Sequence, residues 1–197
     1  AKAYLGKSVA IGDIDNDDYG DVLVGAPGDD TPATPSVKKI VDTGSVTVFS
    51  GIDGLPITKK YGATAKAGLG NSVASADVDD DGYADIFVGA PKSNGVNNMT
   101  DAGAVVVLNG EPYSYFGYTL ATFYGAVAHA HAGSSVGAGD IDNDGSHEII
   151  IGAPDDDDVA NKLADAGSVA AYRSADVYSP VSTDTPHLMK KYGASAK

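Results

Sequence analysis

Residues 8–17 read Ser-Val-Ala-Ile-Gly-Asp-Ile-Asp-Asn-Asp, and this stretch returns with small changes at residues 72–81 and 135–144. Successive copies begin 64 and 63 residues apart. Repetition at a nearly fixed period is typical of an array of similar structural units. The chain is therefore predicted to consist of three units, with boundaries at about 1–64, 65–128 and 129–197.

The rest of each unit also repeats. Gly-Ala-Pro follows the acidic stretch, a Gly-led apolar stretch comes next, and Tyr-Gly-Ala closes the unit. This pattern predicts four strands and no helix. The first strand has small side chains. The second is an unbroken apolar run, which fits a strand covered on both faces. The third is rich in β-forming residues, and the fourth is more polar. In the second unit the first three strands are expected at residues 72–76, 85–88 and 105–108.

Four short strands per unit are typical of a β-propeller blade. Small side chains in the first strand suit the crowded axis of a propeller, and lysines in the fourth strand suit an outer edge. We therefore predict an all-β fold of three blades, each made of four antiparallel strands. Propellers close with about four to eight blades. We expect a partial propeller, completed by further blades of a longer chain or by self-association.

Acidic side chains alternate at the end of each repeated stretch. Numbered from its first aspartate, each loop is acidic at positions 1, 3, 5 and 9. A tight turn directs alternate side chains inward, and calcium takes six to eight oxygen ligands at about 2.3–2.6 Å. At position 6, Gly82 and Gly145 permit a positive φ, and Asp18 tolerates it better than most residues. With a backbone carbonyl at position 7, the predicted calcium ligands are Asp13, Asp15, Asp17, Tyr19 and Asp21, then Asp77, Asp79, Asp81, Tyr83 and Asp85, then Asp140, Asp142, Asp144, Ser146 and Glu148.

Other kinds of acidic loop fit less well. An EF-hand needs a glutamate at position 12 and two flanking helices, whereas position 12 here is Val24, Val88 or Ile151. The predicted ligands include no His or Cys, which argues against zinc or copper. Magnesium, which demands stricter octahedral geometry, is the alternative ion. A solvated acidic turn is the alternative structure, and three copies with identical spacing disfavour it. We expect about three calcium ions per chain.

Composition narrows the choice of partners. The formal net charge is −14, so the surface repels phosphate backbones and anionic lipid. The chain has no cysteine, which excludes disulfides and thiolate metal sites. No apolar run approaches the roughly 20 residues of a membrane span. We expect neither nucleic-acid binding nor a membrane span.

These markers together resemble the FG-GAP repeat of integrin α-subunit propellers and their bacterial relatives. The Gly-Ala-Pro triplet is intact three times, whereas the Phe-Gly pair is replaced by Leu5-Gly6, Leu69-Gly70 and Ala132-Gly133. The resemblance implies calcium loops on one face of a propeller. It also implies an extracellular or cell-surface recognition or adhesion module with a protein or carbohydrate ligand.

Several other features of the sequence are functional candidates. His129 and His131 are expected on one face of a strand, where they could form a two-histidine metal site or a polar patch. Residues 155–158 are four aspartates and are expected in an exposed loop, with an extra cation or a basic partner as the alternative. His147 and His187 are expected to be isolated and solvated. Tyrosines at residues 113–118 could bind a ligand or pack between blades. With a single arginine, Arg173, and no nucleophile motif, we expect no enzyme. The alternatives are a building block of a surface layer or fibre, and a scaffold domain of a carbohydrate-active enzyme.

Overall fold

The computed structural model of the chain describes residues 2–34, 38–110, 117–178 and 189–193. Within these ranges, twelve strands form three separate four-stranded antiparallel sheets, and strand order in each sheet follows the chain. The first sheet contains β1 (Ser8–Gly12), β2 (Asp21–Ala26), β3 (Ser45–Phe49) and β4 (Pro56–Tyr61). The second contains β5 (Ser72–Ala76), β6 (Asp85–Ala90), β7 (Ala104–Leu108) and β8 (Thr119–Tyr124). The third contains β9 (Ser135–Gly139), β10 (Glu148–Ala153), β11 (Ser168–Tyr172) and β12 (Met189–Tyr192).

The predicted all-β fold of four-stranded propeller blades is confirmed. The second strand of each blade runs two residues further than expected, through the Gly-Ala of the Gly-Ala-Pro triplet. Proline then ends the strand, because it has no N–H to donate to the ladder. Among the described residues, no helix is both long and apolar enough to cross a membrane.

The prediction of no helix is wrong in two places. A short 3₁₀ helix spans Val96–Asn98, and a five-residue α-helix, α1, spans Ser174–Tyr178. The Asp176 carboxylate accepts a hydrogen bond from the Arg173 N–H at 2.8 Å, which satisfies a backbone donor at the start of α1. Val177 is buried in the core. A helix of a single turn with one buried apolar side chain is too short to produce a helical periodicity of hydrophobic residues in the sequence.

Alternate residues of the middle blade face its two neighbours. Ile86 and Val88 belong to the core shared with the first blade, whereas Phe87 and Val107 belong to the core shared with the third. All six residues of β6 are buried. The unbroken apolar run in this strand therefore reflects burial on both faces, as predicted.

The backbones of neighbouring blades meet at the same place at both junctions. The Ser8 hydroxyl donates to the Gly70 carbonyl at 2.9 Å, and the Ser72 hydroxyl donates to the Gly133 carbonyl at 2.8 Å. Beside these bonds, a Cβ on Gly25 would collide with the Gly70 carbonyl. Glycine at this position is thus required by the approach of the next blade.

An ion pair ties the outermost strand to the Gly-Ala-Pro turn in the first blade. The Lys59 ammonium lies 2.6 Å from the Asp29 carboxylate, which also accepts a 2.9 Å hydrogen bond from the Ser45 hydroxyl. Lys59 also stacks over Tyr61, with its nitrogen 4.8 Å from the ring centroid. Burial favours a higher pKa for Asp29, but the bonds from Lys59 and Ser45 outweigh it and hold the pKa below its usual value.

The third blade repeats this arrangement. Asp156 accepts bonds from Ser168 at 2.6 Å and from Lys190 at 2.8 Å. Residues 155–158 were expected in an exposed loop, and this expectation is wrong for Asp156 and Asp158, which are buried. Asp156 is buried because Lys190 neutralises it. The pairing links residues 34 positions apart, so the aspartate run alone could not reveal it.

Asp29→Asn should lower stability at neutral pH by about 1 kcal/mol, because the charge-assisted bonds to Lys59 weaken. In a domain of this size that is a fall in melting temperature of roughly 2–4 °C. An acid with a lowered folded-state pKa stabilises above its ordinary pKa and loses this effect as pH falls. The difference from wild type should therefore shrink as pH falls from about 5 toward 3. Asp53→Asn, at an exposed aspartate, is the charge-matched control. Equal deficits at pH 7 and pH 3 would contradict this account.

Candidate metal centres

The first aspartate of each acidic loop closes the turn between the first and second strands. In the first blade, the Asp13 carboxylate accepts hydrogen bonds from the N–H groups of Asp17 and Asp18, both at 3.0 Å. Asp77 and Asp140 accept the equivalent bonds in their loops, at 2.9–3.2 Å. The position-1 side chain is thus held inside the turn by backbone donors.

Two residues of each loop adopt left-handed backbone geometry. Position 6 does so as expected, with φ of +69° at Asp18, +91° at Gly82 and +97° at Gly145. Position 4 does so as well, with φ between +56° and +59° at Asn16, Asp80 and Asn143. Sequence reasoning missed position 4, although Asn and Asp are the side chains that tolerate this geometry best.

The loops bring carboxylates together in three clusters, within which the potential ligand atoms lie no more than 4.8 Å apart. Positions 1 and 3 contribute in every loop. Position 5 completes the first cluster, and position 9 completes the other two. The clusters are Asp13, Asp15 and Asp17; Asp77, Asp79 and Asp85; and Asp140, Asp142 and Glu148.

The remaining predicted ligands lie outside these clusters. They are Asp21, Asp81 and Asp144 among the acids, and the position-7 residues Tyr19, Tyr83 and Ser146. Each position-7 N–H donates to the position-5 carboxylate of its loop at 2.9 Å, which holds the end of the turn. Coordination by the position-7 carbonyls stays a prediction.

The acid at position 9 has a structural role that the sequence did not reveal. In the first blade, Asp21 is fully buried and accepts bonds from the Ile14 N–H at 2.9 Å and the Gly51 N–H at 3.0 Å. Asp85 makes the equivalent bonds to Val78 and Gly110. The carboxylate therefore joins the acidic loop to the turn after the third strand. In the first two blades, a glycine two residues beyond that strand is the only signal in the sequence.

Burial and neighbouring charges oppose ionisation of Asp85 and Asp15. Burial, followed by the charge of Asp79, raises the pKa of Asp85 to about 7. Burial is also the largest cause of the raised pKa of Asp15, followed by the charges of Asp21, Asp17 and Asp13. A bound divalent cation would favour the ionised forms, because it places opposite charge against each carboxylate.

Two buried carboxylate oxygens in the loops lack a hydrogen-bond donor among the described residues, as does Asp156 Oδ1 outside the loops. Asp15 Oδ1 and Glu148 Oε1 are buried, and no described residue donates a hydrogen bond to either. A buried acceptor without a partner costs about 1–3 kcal/mol, and a coordinated cation would supply that partner. Both atoms belong to residues of the carboxylate clusters. Clusters of hard oxygen donors fit calcium or magnesium.

Adjacent acidic loops contact each other. The Asp13 carbonyl accepts a bond from the Ala84 N–H at 2.9 Å, and the Asp77 carbonyl lies 3.1 Å from His147 Nδ1. His147 is therefore half-buried between loops, and the expectation that it is isolated and solvated is wrong. In the third loop, Arg173 Nη2 lies 3.1 Å from Asp142 Oδ2.

The expectation that His129 and His131 share a strand face is also wrong. Both lie in the connection between β8 and β9 with left-handed geometry, at φ +63° and +53°. His131 Nδ1 lies 2.8 Å from Asp155 Oδ2, and the two imidazole rings are 6.5 Å apart. In the part of the chain described, no group of three metal-binding side chains includes either histidine. His187 and residues 113–116 of the tyrosine segment lie outside the described residues, and Tyr118 is exposed.

Comparison with known proteins identifies the repeated unit. Residues 5–49, 69–108 and 132–172 match the FG-GAP repeat. Integrin alpha-5 of Xenopus laevis is 31% identical over 157 residues, which are 77% of this chain and 14% of that protein. Integrin alpha-V of Gallus gallus is 29% identical over 156 residues, with the same two shares.

Enzymes also appear among the similar proteins. Phosphatidylinositol-glycan-specific phospholipase D of Bos taurus is 29% identical over 181 residues, which are 89% of this chain and 21% of that protein. Bacillus licheniformis Rhamnogalacturonan Lyase PL11 superposes with a TM-score of 0.50 at 13% identity, over 84% of this chain and 31% of that one, which indicates a shared fold only. The chain spans less than a quarter of the length of each sequence relative.

Asp79→Asn should weaken metal binding at the second loop by more than about tenfold, because it removes the charge of one of three clustered carboxylates. Asp80→Asn is the matched control, since Asp80 is exposed and lies outside the cluster, and Asn16 and Asn143 adopt the same left-handed geometry at the equivalent positions. Titration calorimetry with calcium measures both. Equal losses in the two variants would mean that net charge, rather than the cluster, sets the affinity.

Proposed function

Because the chain belongs to the FG-GAP repeat family, we propose that it is a calcium-binding recognition module of the adhesion type that works outside the cell. One observation carries this proposal. All three acidic loops bring carboxylates within 4.8 Å of one another in turns of the same hydrogen-bonded geometry. The proposed blade boundaries are about 1–64, 65–128 and 129–197.

Calcium, when bound, would supply positive charge that offsets the repulsion within each cluster. Positions 1, 3 and 5, the position-7 carbonyl and the position-9 acid of each loop would hold the ion. The position-1 and position-5 side chains also accept backbone N–H bonds, so they enter the site already oriented. Three ions per chain are proposed on this basis.

We place the recognition site at the opposite end of the sheets from the acidic loops. A groove of about 540 Å³ lies between the first two blades, within the range typical of ligand sites. Its lining includes the exposed ring of Tyr4, two lysines, Lys66 and Lys92, and the acids Asp42 and Asp101. An aromatic ring among charged groups of both signs suits a protein segment or a carbohydrate.

We propose that the module is not itself catalytic. Arg173, the one arginine of the chain, is engaged by Asp142 at the third acidic loop. The enzyme relatives favour a second candidate, in which the blades serve as a scaffold beside a catalytic domain.

Removal of calcium should lower the melting temperature by many degrees, since an ion that binds only the folded chain stabilises it by mass action. Scanning calorimetry with calcium and with excess chelator measures the shift. The triple variant Asp13→Asn, Asp77→Asn, Asp140→Asn should melt at the same temperature in both buffers. Wild-type curves that coincide in the two buffers would refute calcium binding in the loops.

Lys66→Glu should reduce ligand binding, because it reverses a charge inside the groove without touching an acidic loop. Lys162→Glu, at an exposed lysine outside the groove, makes the same charge change elsewhere. Binding of both variants to a glycan array and to immobilised extracellular-matrix proteins tests the proposal. If both variants bind as wild type, the groove is not the recognition site.

A further inference from the structure

The third candidate metal centre has an arginine against one of its carboxylates. Arg173 Nη2 lies 3.1 Å from Asp142 Oδ2, and Asp142 belongs to the third carboxylate cluster. Arg173 follows the third strand of its blade directly. The residues that follow the third strands of the other two blades are Ser50 and Asn109, which carry no charge. The third blade therefore has a guanidinium at a position that is neutral in the other two.

The backbone of Arg173 is fixed while its side chain can move. Its N–H donates to the Asp176 carboxylate at 2.8 Å, and Val177 is buried in the core that the second and third blades share. The helix α1 is thus anchored beside the third loop. The Arg173 side chain is 47% exposed, so its guanidinium can turn into solvent without disturbing the core.

The helix α1 also changes the surroundings of the acid at position 9. In the first two blades, Gly51 and Gly110 donate their N–H groups to one oxygen of this acid. Ser174 stands at the equivalent place and begins α1. Glu148 is 1% exposed, and no described residue, Arg173 included, donates a hydrogen bond to its Oε1. Because Glu148 belongs to the third cluster, this oxygen still calls for a cation that Arg173 does not replace.

The third loop should attract a cation less strongly than the other two. Across positions 1–9, the first and second loops have five acids each, whereas the third has four. The additional acids, Asp18 and Asp80, lie outside the clusters but add negative charge beside them. Calcium affinity follows the charge of the site, and a guanidinium bonded to one of its acids repels a second cation. Both differences lower the affinity of the third loop.

We propose that Arg173 is a built-in counter-ion of the third metal centre, which calcium must displace from Asp142 when it binds. This inference rests on the proposed function, because it takes the acidic loops as calcium sites. The first two loops then fill at lower calcium concentration, and the third fills last as the Arg173 side chain is released into solvent. The third centre is the one that responds to calcium when the other two are saturated.

Titration calorimetry of the full chain with calcium tests the order of filling. Wild type should show two tighter sites and one weaker site. Asp140→Asn, in the third loop, should abolish the weaker step, whereas Asp77→Asn, in the second, should abolish a tighter one. Arg173→Asn should tighten the weaker step by about fivefold or more, since removing an exposed ion pair has an effect of this order and the repulsion of calcium is removed with it.

Lys162→Asn is the matched control for Arg173→Asn. It removes the same charge at the other end of the third blade, and Lys162 has a φ of +57°, which asparagine tolerates well. The weaker step should not change in this variant. If circular dichroism shows that Arg173→Asn is unfolded in calcium, Arg173→Gln replaces it with a longer neutral side chain.

Melting temperatures give a second readout. In excess chelator, Arg173→Asn should melt below Lys162→Asn, because the third cluster has lost its counter-ion. In saturating calcium the two should melt together, because the ion has already displaced Arg173 in the parent chain.

Four results would overturn the inference while leaving calcium binding by the loops intact. They are a weaker step that Arg173→Asn does not change, the same tightening in Lys162→Asn, equal melting of the two variants in chelator, and loss of a tighter step in Asp140→Asn. A wild-type chain that binds no calcium would instead refute the proposed function, and this inference with it.

Discussion

A buried carboxylate at the start of the second strand holds each blade together. Asp21 and Asp85 are fully buried, and each accepts backbone N–H groups from two separate turns. Glu148 takes the same place with a bond from Ile141. Such a group is stable only if its charge is matched, because ionised carboxylates in low dielectric are costly. The acidic loop beside it brings further carboxylates within 4.8 Å of one another, and the proposed calcium ion would supply the matching positive charge.

The candidate metal centres are also linked to one another through contacts between neighbouring blades. The acidic loop of each later blade contacts the preceding loop, through Ala84 to Asp13 and through His147 to Asp77. A change that orders one acidic loop, such as the binding of an ion, therefore also restrains the conformation of the neighbouring loop. At the other end of the sheets, the Asp29–Lys59 and Asp156–Lys190 pairs fasten the outer strands without an ion. In the first and third blades, lysines balance the acids at this end of the sheets, and the proposed calcium ions would balance those at the other end.

The sequence predicted the features that repeat within a short stretch of chain. The strand order, the left-handed position 6 and the burial of β6 on both faces followed from spacing, glycine placement and hydrophobicity. Features that depend on distant partners did not follow. Asp156 looked exposed because its partner Lys190 is far along the chain. The sequence suggested that His147 is isolated because its neighbour is a backbone carbonyl of the preceding blade. Every residue has such a carbonyl, so residue types cannot indicate this partner.

The central claim is that each acidic loop binds one calcium ion, and native mass spectrometry of the calcium-loaded chain tests it most directly. We expect three calcium ions per chain, and two when Asp77 is replaced by Asn. A loaded mass equal to that of the chelated chain, or an ion count that the Asp77→Asn change leaves at three, would contradict the account.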